Sequence, residues 1–177
     1  MRTSRNLISE LSPLLIALLV IAADRLTKVL IQRSFNAFDM VSIIPGWLRL
    51  VHTENPGAAF GVLADGNPWL RSGILIGVST LVLVFVASAL FYRSGSFKGA
   101  ASRLGLSLIL GGAVGNLYDR IAHGAVTDFI EVYHRGWSFP AFNLADSAIT
   151  VGACLLLVDI LLPHGKPAPN ESPFVPK

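Results

Sequence analysis

The stretch GILIGVSTLVLVFVASALFY, residues Gly73 to Tyr92, contains no charged side chain and is bounded by Arg71 and Arg93. A lipid hydrocarbon core about 30 Å thick requires about 20 residues of α-helix to cross it. The stretch therefore predicts a transmembrane helix. The composition agrees, since 14% of the residues are charged, whereas a soluble domain has about 25%.

Three further stretches are long and apolar enough to span a membrane, and together the four predict an α-helical integral membrane protein. The predicted transmembrane helices are 13–32, 73–92, 104–122 and 141–162. The last ends before Pro163, which cannot continue a helix. The basic start and first apolar run resemble a signal peptide, but apolar residues resume at 29–31, which indicates a retained helix.

The segment between the first two helices, residues 34–67, has a different pattern. Its β-rich runs Val41–Ile44 and Trp47–Thr53 are separated by Pro45 and Gly46, which predicts a hairpin. We therefore expect a small extracytoplasmic β-sheet, or cradle, between helices 1 and 2. Residues 123–140 are expected to form an extracytoplasmic loop, and the proline-rich polar tail 163–177 is expected to be disordered.

The distribution of basic residues predicts the orientation, because an even number of spans places both termini on one side. That side carries Arg2, Arg5, Arg93, Lys98, Arg103, Lys166 and Lys177. Arg33, Arg49, Arg71, Arg120 and Arg135 fall on the other side or at its interface. The positive-inside rule then places both termini in the cytoplasm. The 34–67 segment faces outward.

Charged residues inside the spans need an explanation, because each costs about 2.5–3.5 kcal/mol at the bilayer centre. Asp24 and Lys28 lie four residues apart on one helix face and can neutralise each other. They form either a buried structural pair or a support for an active site. Arg25 beside them is expected to reach lipid headgroups. Asp159, near the cytoplasmic end of the fourth span, is expected to be interfacial.

Further polar residues cluster near the outer ends of the third and fourth helices. Asn116 and Arg120 share one face of the third helix, and Asn143 and Asp146 share one stripe of the fourth. Asp128 follows the outer end of the third helix. Because these helices are antiparallel neighbours, we expect Asp128 and Asp146 at a similar depth, where their carboxyls can meet.

Two helices contain glycines spaced four residues apart. The pairs are Gly73 with Gly77 and Gly111 with Gly115. Such spacing lets the backbone of a neighbouring helix approach closely. We expect both pairs to mark helix-packing faces.

Paired carboxyls at one depth can carry out acid–base chemistry. Two such groups a few ångströms apart cannot both ionise cheaply, so the pair shares a proton. One member then acts as a base toward water and the other as an acid, which are the functions needed to hydrolyse a peptide bond. A proton-coupled or solute transporter also places paired acids in its spans. Spacing alone leaves both interpretations open, and a scaffold for membrane assembly is a third.

The sequence lacks the motifs of other common kinds of catalytic or binding site. The four histidines show no HExxH spacing, no G-x-S-x-G motif is present, and one cysteine gives no Cys/His metal motif. No metal or cofactor is therefore expected. The formal net charge of +3 is small and no basic run follows an aromatic stripe, so nucleic-acid binding is not expected.

Five motifs in order give the sequence a resemblance to a known family. DRLTK, NPGAAFGVL, GGAVGNLYDR, VTDFI and FNLADSAI resemble the motifs of bacterial lipoprotein signal peptidases, also called signal peptidase II. The resemblance extends from about Leu14 to Leu162. Arg25 stands where that family usually has Gln, while Asp24, Thr27 and Lys28 match.

The resemblance implies an aspartyl endopeptidase of the bacterial plasma membrane, working near the outer face. It implies cleavage of diacylglyceryl-modified prolipoproteins just before the lipidated cysteine, beside membrane lipid, and inhibition by globomycin-type antibiotics. The catalytic positions it implies are Asp128 and Asp146. The supporting positions are Asn55, Asn116, Arg120, Asn143, Asp24 and Lys28. We further expect the hairpin around Pro45 and Gly46 to move as a lid when substrate enters.

Overall fold

The computed structural model describes residues 4–57, 67–91 and 99–162, with side chains from residue 11 onward and without that of Phe91. The tail 163–177, residues 58–66 of the 34–67 segment, and Arg93 and Lys98, which the prediction places on the cytoplasmic side, lie outside the described residues. The predictions made for those parts stay predictions.

Four helices carry the apolar sequence in the predicted order. They are α1 (Ser4–Ser34), α2 (Pro68–Phe91), α3 (Ala100–His123) and α4 (Leu144–Leu161). Within the described residues, α2, α3 and α4 are long and apolar enough to cross a membrane. Helix α1 is longer, at 31 residues, and its apolar sequence is interrupted by charges. Helix α4 begins three residues later than predicted because Asn143 caps it.

Helix α3 is the centre of the bundle and packs against each of the other three helices. Glycines permit this close packing. A Cβ on Gly111 would lie 2.7 Å from the carbonyl oxygen of Ala17, and one on Gly115 would lie 2.7 Å from Oδ2 of Asp24. The prediction that this glycine pair marks a packing face is therefore confirmed, with α1 as the partner.

The second glycine pair behaves differently. Nothing in the described part of the chain lies within 4 Å of a Cβ built on Gly73 or Gly77. Helix α2 contacts α3 through another face, which includes Val86. The predicted packing role of Gly73 and Gly77 is therefore wrong within the described residues, because glycine spacing shows where a helix can approach and not whether one does.

This contrast gives a matched prediction for stability. Gly111→Ala introduces a methyl group into the α1–α3 contact, so we expect the protein to be destabilised by about 1–3 kcal/mol. Gly77→Ala adds the same methyl group in open space and should leave the protein equally stable or slightly more stable. Thermal unfolding midpoints in detergent measure both. Equal midpoints for the two variants would contradict the packing.

The sheet has four antiparallel strands in the order β1-β2-β3-β4. Strands β1 (Met40–Ile44) and β2 (Leu48–Asn55) form the predicted hairpin. Strands β3 (Val126–His134) and β4 (Trp137–Ser138) lie in the connection between α3 and α4, which was expected to be a loop. Arg135 and Gly136 form the turn between them, with φ of 44° and 86°, as in the two-residue turns that join strands. The glycine at 136 is the sequence signal that could have marked this turn.

The tip of the first hairpin is bound to β3. The backbone N–H of Gly46 donates to the Tyr133 hydroxyl at 3.0 Å, and the rings of Trp47 and His134 stack with centroids 4.4 Å apart. Arg49 and Glu131 also form an ion pair across the two strands. The lid movement stays a prediction, and these are the contacts that a movement relative to β3 would break.

The sheet is fixed at the end of the bundle where α1 and α3 end and α4 begins. Gln32, near the end of α1, donates from Nε2 to Oγ1 of Thr127 at 2.7 Å. The N–H groups of Phe129 and Ile130 both donate to the carbonyl of Phe142, at 3.0 and 2.8 Å. These bonds hold β3 beside the start of α4. They bring the strand that carries Asp128 to the helix that carries Asp146.

Candidate active site

Asp128 lies on β3, and its side chain is held by two asparagines. Asn55 donates from Nδ2 to Oδ2 of Asp128 at 3.0 Å. Asn143 donates from Nδ2 to Oδ1 at 2.7 Å. Thr53 pairs with Asp128 across the sheet, which places the end of β2, and so Asn55, beside it. Asp128 is only 3% exposed, so both oxygens depend on these neutral donors.

Asp146 lies in the first turn of α4, and two asparagines also hold it. Asn116 of α3 donates from Nδ2 to Oδ1 of Asp146 at 2.7 Å. The backbone N–H of Asn143 donates to Oδ2 at 3.3 Å. The Asn143 side chain accepts from the backbone N–H of Asp146 at 2.9 Å. Asn143 and Asp146 therefore form a capping box, which satisfies free N–H groups at the helix start.

Asn143 connects the two aspartates. Its Oδ1 caps the helix at Asp146, and its Nδ2 contacts Oδ1 of Asp128 and, at 3.2 Å, Oδ1 of Asn116. The side chain is completely buried. The sequence pattern predicted that Asn143 shares a stripe with Asp146. It did not predict that one amide would serve both carboxylates, because the second one comes from β3.

Both aspartates line one cavity of about 940 Å³, within the range of small-molecule sites. Arg120 also lines it, and its guanidinium contacts the Asn116 carbonyl at 3.4 Å. Nε of Arg120 has no hydrogen-bond partner within the described residues. Most of the wall is apolar and comes from the segment before α4 and from its first turns: Phe139, Pro140, Ala141, Phe142, Ile149 and Val151.

The electrostatic environment of Asp128 favours its protonated form. Burial away from water is the main cause, and the nearby charge of Asp146 adds to it. The hydrogen bonds from Asn55 and Asn143 act in the opposite direction and only partly compensate. Together these effects raise the pKa of Asp128 from 3.8 to about 6. A carboxyl with this pKa can exchange a proton near neutral pH.

Beneath the aspartates lies a buried ionic cluster made of Asp24, Arg25, Lys28 and Asp119. Nζ of Lys28 lies 2.8 Å from Oδ2 of Asp24 and 2.7 Å from Oδ2 of Asp119. Oδ1 of Asp24 accepts from the backbone N–H of Ala145 at 3.0 Å. The Asp24–Lys28 pairing inferred from their spacing is confirmed. Its connection to α3 and α4 depends on tertiary structure.

The prediction that Arg25 reaches lipid headgroups is wrong. Its Nη1 lies 2.5 Å from Oδ1 of Asp119, and its guanidinium lies 4.5 Å above the ring of Tyr118. Asp119 itself was overlooked because it points about 100° away from Arg120 on the helix, and nothing in the sequence marks the partners that α1 brings to it. Asp119 is 1% exposed and binds two cations.

Comparison with known proteins identifies the family. The sequence model of the family described as signal peptidase (SPase) II matches residues 16–162. The chain belongs to the signal peptidase II family. This is a family of aspartic peptidases, which decides between the peptidase and transporter interpretations in favour of the peptidase.

Relatives agree over nearly the whole chain. A lipoprotein signal peptidase of Solibacter usitatus is 44% identical over 153 residues, covering 86% of this chain and 92% of the relative. One from Yersinia pseudotuberculosis is 40% identical over 161 residues, covering 89% and 91%. A solved bacterial membrane enzyme matches with a TM-score of 0.75 at 29% identity, covering 85% of this chain and 87% of its own. The predicted helical membrane fold with a small sheet is confirmed.

The remaining candidates lie away from the cavity. Asp159 accepts a hydrogen bond from the Ser102 hydroxyl at the opposite end of α3 and α4. His52, His123 and His134 do not line the cavity, and His164 lies outside the described residues. Within the described residues, no group of three or more His, Cys, Asp or Glu side chains is arranged to hold a metal ion.

Proposed function

We propose that Asp128 and Asp146 are the catalytic dyad with which this lipoprotein signal peptidase cleaves diacylglyceryl-modified prolipoproteins just before the lipidated cysteine. The observation that carries the proposal is that both carboxyls line one largely apolar cavity while neutral asparagine amides hold them. An aspartic peptidase needs two carboxyls that reach one substrate carbonyl and one water molecule. No cofactor takes part in this proposal.

The two aspartates divide the proton transfers between them. Asp146, as the ionised member, takes a proton from water as the water oxygen bonds to the scissile carbonyl carbon. Asp128, whose pKa is raised to about 6, donates its proton to the carbonyl oxygen. When the C–N bond breaks, the proton on Asp146 passes to the leaving nitrogen and a hydroxyl proton returns to Asp128. Both aspartates then have their starting protonation states.

The supporting residues hold this geometry without adding charge to the carboxyls. Asn55, Asn116 and Asn143 are hydrogen-bonded to the aspartates and leave room in the cavity for the substrate backbone. Arg120 lines the same cavity, so its guanidinium can interact with a substrate carbonyl or a lipid headgroup that enters the cavity. Asp24 and Lys28 support the site from below.

The cavity wall and the membrane together suit a lipidated substrate. Apolar side chains such as Phe139 and Ile149 offer a surface to the signal peptide or to acyl chains. In the orientation predicted from the basic residues, both termini are cytoplasmic and the dyad lies near the outer face. Water then reaches the dyad from outside while the lipid stays in the leaflet. A globomycin-type inhibitor would act by occupying this cavity.

Cleavage of a purified precursor tests the proposal. We expect the purified protein to release the signal peptide from a diacylglyceryl-modified precursor, and a globomycin-type compound to stop the release. The matched control is the same precursor without the diacylglyceryl group, which should be cleaved far more slowly. Equal cleavage of both precursors, or cleavage at another bond, would contradict the proposed substrate.

The raised pKa of Asp128 predicts a pH dependence. Because the protonated carboxyl is the acid, kcat/KM should fall as pH rises through about 6, by about tenfold per pH unit above it. Folding raises this pKa from 3.8 to about 6, so between these values the folded state holds a proton that the unfolded state has released. The stability that this proton provides is complete below pH 3.8 and is lost as the pH rises through about 6. Unfolding midpoints must therefore be measured at each pH. A kcat/KM that rises steadily from pH 5 to 8 would contradict the assignment.

A further inference from the structure

Lys28 is a charged side chain with no exposed surface, and it touches three polar partners at once. Besides its ion pairs with Asp24 and Asp119, its Nζ donates to Oδ1 of Asn116 at 3.0 Å. The amide nitrogen of the same Asn116 donates to Oδ1 of Asp146. A single asparagine side chain thus separates the buried ammonium group from the carboxylate.

The chemistry of these groups fixes the orientation of the Asn116 amide. A lysine ammonium can only donate hydrogen bonds, so the atom facing it must be the amide oxygen. The second neighbour of that oxygen, Nδ2 of Asn143, is also a donor, at 3.2 Å. A flipped amide would direct its NH₂ at two donors and its oxygen at the Asp146 carboxylate. The present orientation leaves Nδ2 of Asn116 as a donor aimed at Asp146.

The ammonium group is in turn held in place by its charged surroundings. Asp24 and Asp119 lie on either side of it, from α1 and α3. Arg25 supplies Asp119 with a second cation, so the four-residue cluster is balanced, with two positive and two negative charges. A balanced cluster keeps Lys28 from being drawn wholly to Asp119. The hydrogen bond that Lys28 donates to Asn116 is charge-assisted, and such bonds are stronger than neutral ones.

We infer that Lys28 is a positioning residue, which holds the Asn116 amide in the one orientation that directs a hydrogen-bond donor at Asp146. This inference rests on the proposed function, because it matters for catalysis only if Asp146 acts on the substrate. It differs from a role in stability alone: Lys28 acts through Asn116, so its effect on turnover depends on the presence of that amide.

A double-mutant cycle tests this dependence. Asp24→Asn together with Lys28→Met removes the ammonium and one balancing carboxylate, and leaves the Arg25–Asp119 pair intact. We expect kcat for the lipidated precursor to fall about 10–100-fold with KM unchanged within about twofold. In an Asn116→Ala background, the same pair of changes should lower kcat by less than about twofold, because the amide through which Lys28 acts is already absent.

If the paired change lowered kcat by the same factor with Asn116 present and with Asn116→Ala, the inference would be overturned, because a purely structural lysine acts independently of Asn116. If the first pair does not fold, Lys28→Met with Asp119→Asn gives a second charge-balanced variant for the same cycle. Failure of both pairs to fold would also overturn it, by assigning Lys28 to stability. A different result would contradict the proposed function. If Asp128→Asn and Asp146→Asn retained normal cleavage, the dyad assignment would be wrong, whatever the double-mutant cycle shows for Lys28.

Discussion

Replacement of either dyad aspartate by asparagine is expected to lower kcat for the lipidated precursor by about 10⁴-fold or more. Asn is nearly the same size and can still accept one hydrogen bond, but it neither takes a proton from water nor donates one as an acid. The double variant should be no slower than the slower single variant, because the two groups act as a unit. Single-turnover cleavage, followed by separation of precursor and product, measures the effect.

A matched control keeps loss of activity apart from loss of folding. Asp159→Asn makes the same chemical change at the other end of α4, where the carboxylate contacts Ser102 and not the cavity. It should leave kcat unchanged, and all four variants should unfold at temperatures close to that of the parent. Normal processing by the double dyad variant would rule out the mechanism, and a large loss in Asp159→Asn would show that the reactive depth is misassigned.

Asn143 is expected to give the second-largest effect, and two substitutions separate its two functions. Asn143→Ser keeps an oxygen that can cap α4 at Asp146, but it removes the amide donor to Asp128 and Asn116. We expect kcat to fall about 100-fold through misplacement of the aspartates, and the free energy of unfolding to fall by about 1–3 kcal/mol because Oδ1 of the buried Asp128 loses a donor. Asn143→Ala should lose the same activity and a further 1 kcal/mol or so of folding free energy, because the cap is lost as well.

The comparison of the two Asn143 variants is the decisive measurement. Both should show the same low kcat, while their thermal unfolding midpoints should differ. If Asn143→Ser retained nearly full activity, capping and not the bridge between the aspartates would be the function of this residue. The loss of both activity and stability in Asn143→Ala would then follow from disorder at the start of α4.

Much of the fold could be predicted because a membrane restricts what a chain can do. Backbone polar groups in lipid must be satisfied within a helix, so the charge-free run at residues 73–92 had essentially one available structure. The Asp24–Lys28 pair was predictable for a similar local reason, since a spacing of four residues brings side chains together on any helix. Pro45 and Gly46 marked the first hairpin in the same way.

The second half of the sheet was harder to predict from the sequence. The connection 123–140 was expected to be a loop, although Arg135 and Gly136 form a tight turn between β3 and β4. The stronger reason is that β3 is stabilised by pairing with β2. The paired residues are more than seventy positions apart in the sequence, as with Glu54 and Thr127. Pairing over such a distance leaves no periodic pattern in either segment.

The sequence by itself determined the helices, the first hairpin and the type of each side chain available for chemistry, because these depend on neighbours within a few residues. Only the tertiary structure decided which of those side chains meet. It placed Asn143 between Asp128 and Asp146, paired Arg25 with Asp119, and set Lys28 behind Asn116. Apart from the cap that Asn143 makes to Asp146, each of these contacts joins different elements of the fold, and the energy that fixes them comes from packing and burial that no local pattern encodes.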